Sequence, residues 1–291
     1  MDNIKLILGT VQFGLNYGIA NSEGKPDLGK VRRILYRAAD HGIRILDTAA
    51  AYGDSEKVLG TLLKEDPALK KHFQVVSKIP PLPENRSPEE IRRLIGQSAD
   101  ASLRNLNLEQ LYGILFHREQ DARNLKDLKE LRTQGKVLMS GFSVDGNLPE
   151  QTAEAEMIQV PGNVLDRRFV PFPRKKPRRL FVRSVYLQGL LMMPEEKIPP
   201  GLAGIVPYRR KLIALAEKNG MLPAELYMRY LLSFPDIDGV LTGVDNVEQL
   251  DYNVRIASGG PLEEELMQEI YKIVPDLPEE WIRPSLWPTK K

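Results

Sequence analysis

Short apolar runs alternate with amphipathic stretches along almost the whole chain. Ile4–Leu8 is apolar apart from Lys5 and ends at Gly9-Thr10. Val31–His41 then repeats apolar residues at Ile34, Leu35 and Ala38, one face of a helix, with Gly42 as its stop. Ile43–Asp47 reads as a second strand. Ser55–Lys64 is helical, with Ser55 as its cap and Val58, Leu59, Leu62 and Leu63 as its stripe. Phe73–Ser77 is a third strand, ending at Lys78. Ser87-Pro88-Glu89-Glu90 opens a helix to about Leu103, with Ser at the cap and Pro in the first turn. Leu111–Phe116 is a fourth strand, ending at His117.

The alternation continues with a helix over Ala122–Arg132, a strand over Val137–Phe142 ending at Ser143, and a short helix over Pro149–Ala155. Met157–Val160 and Leu180–Val185 are the sixth and seventh strands. Helices over Tyr208–Lys218 and Pro223–Ser233 precede an eighth strand, Val240–Thr242, and Leu262–Ile273 is a last helix before a Pro-rich tail. Eight strands alternating with helices predict a parallel sheet, and in a chain of 291 residues a (β/α)8 TIM barrel. No stretch reads as an interdomain linker, so residues 1–291 are expected to form a single domain with a short C-terminal tail near the barrel mouth.

Composition narrows the functions available. A net charge of +2 gives no general reason to expect a polyanionic partner, and the absence of cysteine excludes disulfides, thiolate chemistry and Cys-ligated metals. The histidines and acids show no metal-ligand spacing, so no metal is expected. Met1-Asp2-Asn3-Ile4-Lys5 lacks the build of a secretion signal, and no apolar run approaches the roughly 18 residues of a membrane span. The expectation is a soluble, cytoplasmic monomer without nucleic-acid or membrane partners.

Barrel enzymes keep their chemistry at the C-terminal ends of the strands. Here consecutive strands end at Asp47, Lys78 and His117, and Tyr52 rides the loop after the second. Singly, such residues are usually a turn-forming Asp, a solvated Lys, a packed Tyr and a structural His. Jointly, at successive strand ends, they should converge on one mouth.

These residues and their surroundings resemble the aldo-keto reductase family over nearly the whole chain. The resemblance rests on GIRILDTAAAYGDSEKVLG (42–60), VVSK ending at Lys78, ILFH ending at His117, GFSV around Ser143 and QVPGNVLD from Gln159. It implies a barrel that reduces carbonyls with a nicotinamide dinucleotide held extended across its mouth. It also implies a catalytic tetrad at Asp47, Tyr52, Lys78 and His117.

The chemistry of the four types fits. Hydride delivery to a carbonyl carbon leaves charge on oxygen, which a proton donor must meet within hydrogen-bond reach. A tyrosine is protonated at neutral pH but a sluggish acid, and a nearby ammonium favours its phenolate. The expected roles are Tyr52 as acid, Lys78 as its tuner, Asp47 as orienter of Lys78, and His117 as positioner of the substrate oxygen.

The resemblance further implies cofactor contacts at Gly9, Thr10, Asp47, Ser143, Gln159, Arg183, Ser184, Leu187, Gly189, Gly243, Asn246, Gln249 and Asn253. Three departures stand out. Val144 follows Ser143 where the family usually has Asn. Arg183 stands where an aromatic residue commonly stacks on nicotinamide; a guanidinium plane can also stack. Gly243 and Gln249 are neutral, with Asp245 nearby, where many relatives place a Lys and an Arg on a 2′-phosphate. NADPH is the expected cofactor through donors at a helix N-terminus, with NADH as the alternative.

GTVQFGLNYGIAN (9–21) is similar to short bacterial reductases of sugar and polysaccharide biosynthesis, which suggests a keto-sugar or sugar-derived aldehyde as the small-molecule carbonyl substrate. Competing functions are a cofactor-binding redox sensor with little turnover, and a Schiff-base lyase using Lys78. The basic run PRKKPRR, Pro173–Arg179, precedes the seventh strand and so should lie near the N-terminal face, as a solvated loop or a dock for an acidic partner. Trp281 and Trp287 either wall the pocket or pin the tail to the barrel. His41 and His72 read as surface residues.

Overall fold

The computed structural model describes residues 5–18, 24–173, 175 and 177–287; Ile4, residues 19–23, and Arg174 and Lys176 of the basic run lie outside the described residues. Eight parallel strands close into a barrel in sequence order, the last pairing with the first. They are β1 (Leu6–Gly9), β2 (Ile45–Asp47), β3 (Gln74–Ile79), β4 (Leu111–Phe116), β5 (Val137–Ser143), β6 (Met157–Pro161), β7 (Arg179–Arg183) and β8 (Gly239–Gly243). The barrel is filled by Ile7, Val76, Leu115, Met139, Met157, Phe181 and Leu241. A second, larger core packs the outer faces of the strands against the helices. The (β/α)8 expectation therefore holds.

The helices are α1 (Val11–Gly14), α2 (Leu28–Asp40), α3 (Ser55–Glu65), α4 (Pro67–His72), α5 (Pro88–Leu106), α6 (Leu125–Thr133), α7 (Val206–Lys218), α8 (Pro223–Leu232), α9 (Val247–Ala257), α10 (Glu264–Ile273) and α11 (Glu279–Ile282). Local chemistry sets their ends. The Asp27 side chain accepts from Lys30 N, so α2 begins three residues before its apolar stripe. Ser87 and Glu90 form a reciprocal capping box on α5, with Pro88 in the first turn as predicted.

Several boundaries differ from the sequence reading. The helix expected over Ala122–Arg132 starts as a 3-10 segment, Glu119–Asn124, and becomes α-helical only at Leu125. Pro149–Ala155 is likewise a 3-10 segment, Glu150–Glu154. Among the described residues no α-helix separates β6 from β7. Ser55 is not a helix cap: it is the first residue of α3, fully buried, and its hydroxyl is spent elsewhere. His41 and His72 are tied down rather than solvated, His41 to Asp251 at 2.6 Å and His72 to the Ile43 carbonyl at 2.9 Å.

Candidate active site

Barrel geometry delivers Asp47, Lys78 and His117, and Tyr52 from the loop after β2, to one mouth. Gly9 pairs with Asp47 across β1 and β2, and Thr10 N donates to the Asp47 carbonyl at 2.9 Å. The Asp47 carboxylate is buried, 3% exposed, and is satisfied on both oxygens. Oδ2 accepts from Lys78 Nζ at 2.7 Å and Oδ1 from Gln159 Nε2 at 2.8 Å. Lys78, 1% exposed, also donates to the Thr48 carbonyl at 2.9 Å and reaches the Tyr52 hydroxyl at 3.5 Å. Burial works against its charge, but Asp47 and then Tyr52 outweigh it, and the lysine pKa is raised above its ordinary value. Lys78 is thus an ammonium locked beside a phenol.

The loop bearing Tyr52 is anchored from below. Ser55 Oγ donates to the Thr10 carbonyl at 2.8 Å and lies 2.9 Å from Thr10 Oγ, while Thr48 Oγ1 donates to it at 3.0 Å. This buried knot of three hydroxyls joins β1, β2 and α3. Two glycines let α1 cross the loop: a Cβ on Gly14 would sit 1.8 Å from the Tyr52 carbonyl oxygen, and Gly53 has φ +55°, with Gly14 O 2.6 Å from where its own Cβ would sit.

His117 follows β4, its N–H bound to the Ile79 carbonyl at 3.1 Å. Its ring meets that of Tyr52 edge-on, centroids 5.7 Å apart. Burial, then the charges of Lys78 and Arg183, push its pKa down to about 4, so it is neutral at pH 7. Its Nδ1 is buried and has no hydrogen-bond partner among the described residues. A proton on Nε2 leaves only a lone pair unsatisfied at Nδ1, the cheaper arrangement.

These residues open onto a cavity of about 750 Å3, within the range of small-molecule and cofactor sites. Of the positions predicted to touch a cofactor, Gly9, Thr10, Asp47, Ser143, Gln159, Arg183, Ser184, Gly189, Gly243 and Gln249 line it. Leu187, Asn246 and Asn253 do not. Leu187 is fully buried, Asn246 caps α9 by accepting from Gln249 N, and Asn253 Oδ1 accepts from the Tyr186 hydroxyl. Ser184, Leu187 and Gln188 take left-handed φ values of +69°, +49° and +53°, an unusual run for non-glycine residues.

The residues present fit a nicotinamide. Ser143 and Gln159 are direct neighbours on β5 and β6. With Gln159 Nε2 spent on Asp47, its Oε1 is left to accept and the Ser143 hydroxyl to donate, the complement of a carboxamide. Val144 turns into the outer core, and its carbonyl accepts from Arg183 Nη2 at 2.9 Å.

Sequence reasoning missed the far wall. Asp145 is a hub: Oδ1 accepts from Arg183 at 3.2 Å, and Oδ2 from Arg283 at 3.3 Å and Ser285 at 2.5 Å. Glu119 accepts from the Asp145 and Gly146 amides. The tail therefore reaches the cavity through Arg283, Pro284 and Ser285. Trp281 instead packs on Gly204, and both tryptophans lie against the outer core, which favours the pinning role. Tyr17 also lines the cavity, its pKa raised by burial and then by Tyr52. Only proximity in space marks these residues; no local motif does. Among the described residues no helix is long and apolar enough to cross a membrane, and no group of three or more His, Asp or Glu could hold a metal ion.

Comparison with known proteins agrees with this geometry. The chain is 27% identical over 283 residues to an oxidoreductase of Mycobacterium tuberculosis, covering 86% of this chain and 83% of that one. It is 34% identical over 125 residues to a 6-dehydroglucose reductase of Novosphingobium aromaticivorans, a match that spans 38% of this chain and 40% of that protein. The holo form of an aldo-keto reductase from Bacillus halodurans superposes with a TM-score of 0.72 at 22% identity, covering 94% of this chain and 93% of that one. The sequence profile described as "Aldo/keto reductase family" matches residues 5–275. By that match the chain belongs to the aldo/keto reductase family of oxidoreductases that act on carbonyls.

Proposed function

We propose that this oxidoreductase reduces an uncharged, hydroxylated aldehyde or ketone to the alcohol, using NADPH by preference, with Tyr52 as proton donor. The observation that carries the reading is the buried Asp47–Lys78 pair, with the ammonium 3.5 Å from the Tyr52 hydroxyl and neutral His117 beside it. The nicotinamide would supply the hydride. Everything else falls to the chain.

His117, neutral, offers an N–H to the substrate oxygen without adding a competing positive charge. Tyr52 gives its proton to that oxygen as charge develops there. Lys78 stabilises the phenolate left behind, and Asp47 keeps Lys78 charged and aimed. In the oxidative direction Tyr52 takes the proton back. The lysine's raised pKa argues against a Schiff-base role, which needs a neutral amine. Ser143 and Gln159 would hold the carboxamide, and Arg183 would lie against the ring.

At the adenosine end, Gly243, Asp245 and Gln249 line the cavity beside the α9 N-terminus. Backbone donors there suit a 2′-phosphate, and Asp245 opposes it, so the preference over NADH should be modest. At the substrate end, Arg183 and Arg283 are neutralised by Asp145 and Glu279. That leaves a polar mouth with little net charge, suited to hydroxyl groups. The partial match to a 6-dehydroglucose reductase supports the same class.

Tyr52→Phe tests the reading. It should lower kcat for a reducible aldehyde by roughly 10²–10⁴ while NADPH still binds by fluorescence titration. Full activity in this variant would sink the mechanism.

A further inference from the structure

A second cavity, of about 420 Å3, opens at the other end of the barrel. Gln74 is the first residue of β3, Gln110 precedes β4, Tyr112 is near its start, and Arg179 opens β7. Asp47, Lys78 and Arg183 sit at or near the opposite ends of β2, β3 and β7. The two cavities therefore occupy opposite faces, and nothing in the proposed chemistry uses this one.

Its charged lining residues are Arg132, Arg178 and Arg179, and no carboxylate is among them. They come from different places: Arg132 from the end of α6, Arg178 and Arg179 from the basic run that precedes and enters β7. Arg132 is paired with Glu156. Arg179 Nε donates to the Tyr112 hydroxyl at 3.0 Å, and its Nη1 lies 3.8 Å from Asp238. Arg178 is exposed and has no carboxylate partner among the described residues.

The hydrogen-bond inventory is lopsided. Because the Tyr112 oxygen accepts from Arg179, its own proton has no acceptor among the described residues. The Gln74 side-chain amide has no partner among the described residues, while Gln110 Nε2 is spent on the Gly135 carbonyl at 2.7 Å. The cavity thus offers guanidinium N–H groups, a phenol O–H and an amide. Guanidinium forks match the paired oxygens of phosphate and carboxylate groups. Leu138, 45% exposed, adds an apolar surface for the body of such a ligand.

We propose that this face binds a small organic dianion, of which a phosphate monoester is the type. The cavity is small and concave, which favours a compact ligand over a polymer. Its one aromatic residue, Tyr112, meets Arg179 through its hydroxyl, and no series of aromatic faces is offered for successive bases to stack on.

The test is isothermal titration of the full chain at low salt with phenyl phosphate, inorganic phosphate and an oligoglutamate peptide. One-to-one binding of phenyl phosphate is expected, weakened roughly tenfold by Arg178→Glu and by added salt. Among the described residues the Arg178 side chain bonds to no other, so the variant should keep its melting temperature and its carbonyl reduction. Arg183→Leu, in the opposite cavity, should leave phenyl phosphate binding unchanged. Binding lost in Arg183→Leu but kept in Arg178→Glu would move the ligand to the other face and overturn the proposal. So would the absence of heat with both phosphates, whether or not the peptide binds; peptide binding alone would make the surface a dock for an acidic protein.

Discussion

Lys78→Met separates the two things the buried lysine does. The substitution keeps an unbranched side chain of similar length but leaves the Asp47 carboxylate, 3% exposed, without its cation. Removing one partner of a buried pair costs about 3–5 kcal/mol, because the other charge stays desolvated. For a chain of this size that corresponds to a fall in Tm of roughly 6–20 °C. Lysine's raised pKa means that the pair's contribution is whole at neutral pH and is lost only as pH climbs above the ordinary lysine value and through the folded one.

Asp47→Asn/Lys78→Met removes both charges, and the amide introduced at position 47 can still accept from Gln159. The double variant should return to within about 1–2 kcal/mol of the parent. Activity should not return: both variants should lose roughly 10²–10⁴ in kcat/KM. Urea denaturation at pH 7 measures the first quantity and aldehyde-dependent NADPH oxidation the second. A double variant as unstable as the single would show that packing, not an orphaned charge, explains the loss.

Ser55→Ala should cost about 1–3 kcal/mol, since it strips a buried hydroxyl from the Thr10 and Thr48 knot; a loss near zero by urea denaturation would return Ser55 to an incidental role. His117 binds its proton less readily folded than unfolded, so stability should fall as pH drops from about 6.5 toward about 4, by up to about 3 kcal/mol. His117→Gln should flatten that slope, and an unchanged slope would place the titration elsewhere. Asp145→Asn should loosen the tail, seen as faster hydrogen exchange over residues 279–287, and raise KM roughly tenfold, the equivalent of about 1.4 kcal/mol. Unaltered exchange there would mean that Asp145 does not hold the tail.

The barrel was legible because the strands are short apolar runs followed by helix signals, of which Ser87 and Gly42 are local examples; the cap at Asp27 went unread, and that helix begins at Leu28 rather than Val31. The Asp47, Lys78 and His117 grouping followed from strand ends, since closure forces consecutive ends together, and Tyr52 joined it from the loop after the second strand. What stayed hidden depends on pairs distant in sequence. Asp145 and Arg283 lie 138 residues apart, and nothing near either announces the other. Ser55 looked like a cap because a serine before an apolar stripe usually is one; here burial against Thr10 claimed its hydroxyl. The left-handed run at Ser184, Leu187 and Gln188 contains no glycine at those positions, so tertiary packing must impose it.

The pairing of Leu6 with Val240 sets a timetable for synthesis. β1 leaves the ribosome first and must wait for β8, a delay of roughly 10–50 s at ordinary translation rates. Until then the growing sheet has two raw edges, each able to recruit a strand from a neighbouring chain. The last strand to arrive is therefore the one that seals the molecule against its own kind, and mutations that weaken β8 should show first as poor yield in the cell, before any loss of activity in the protein that survives.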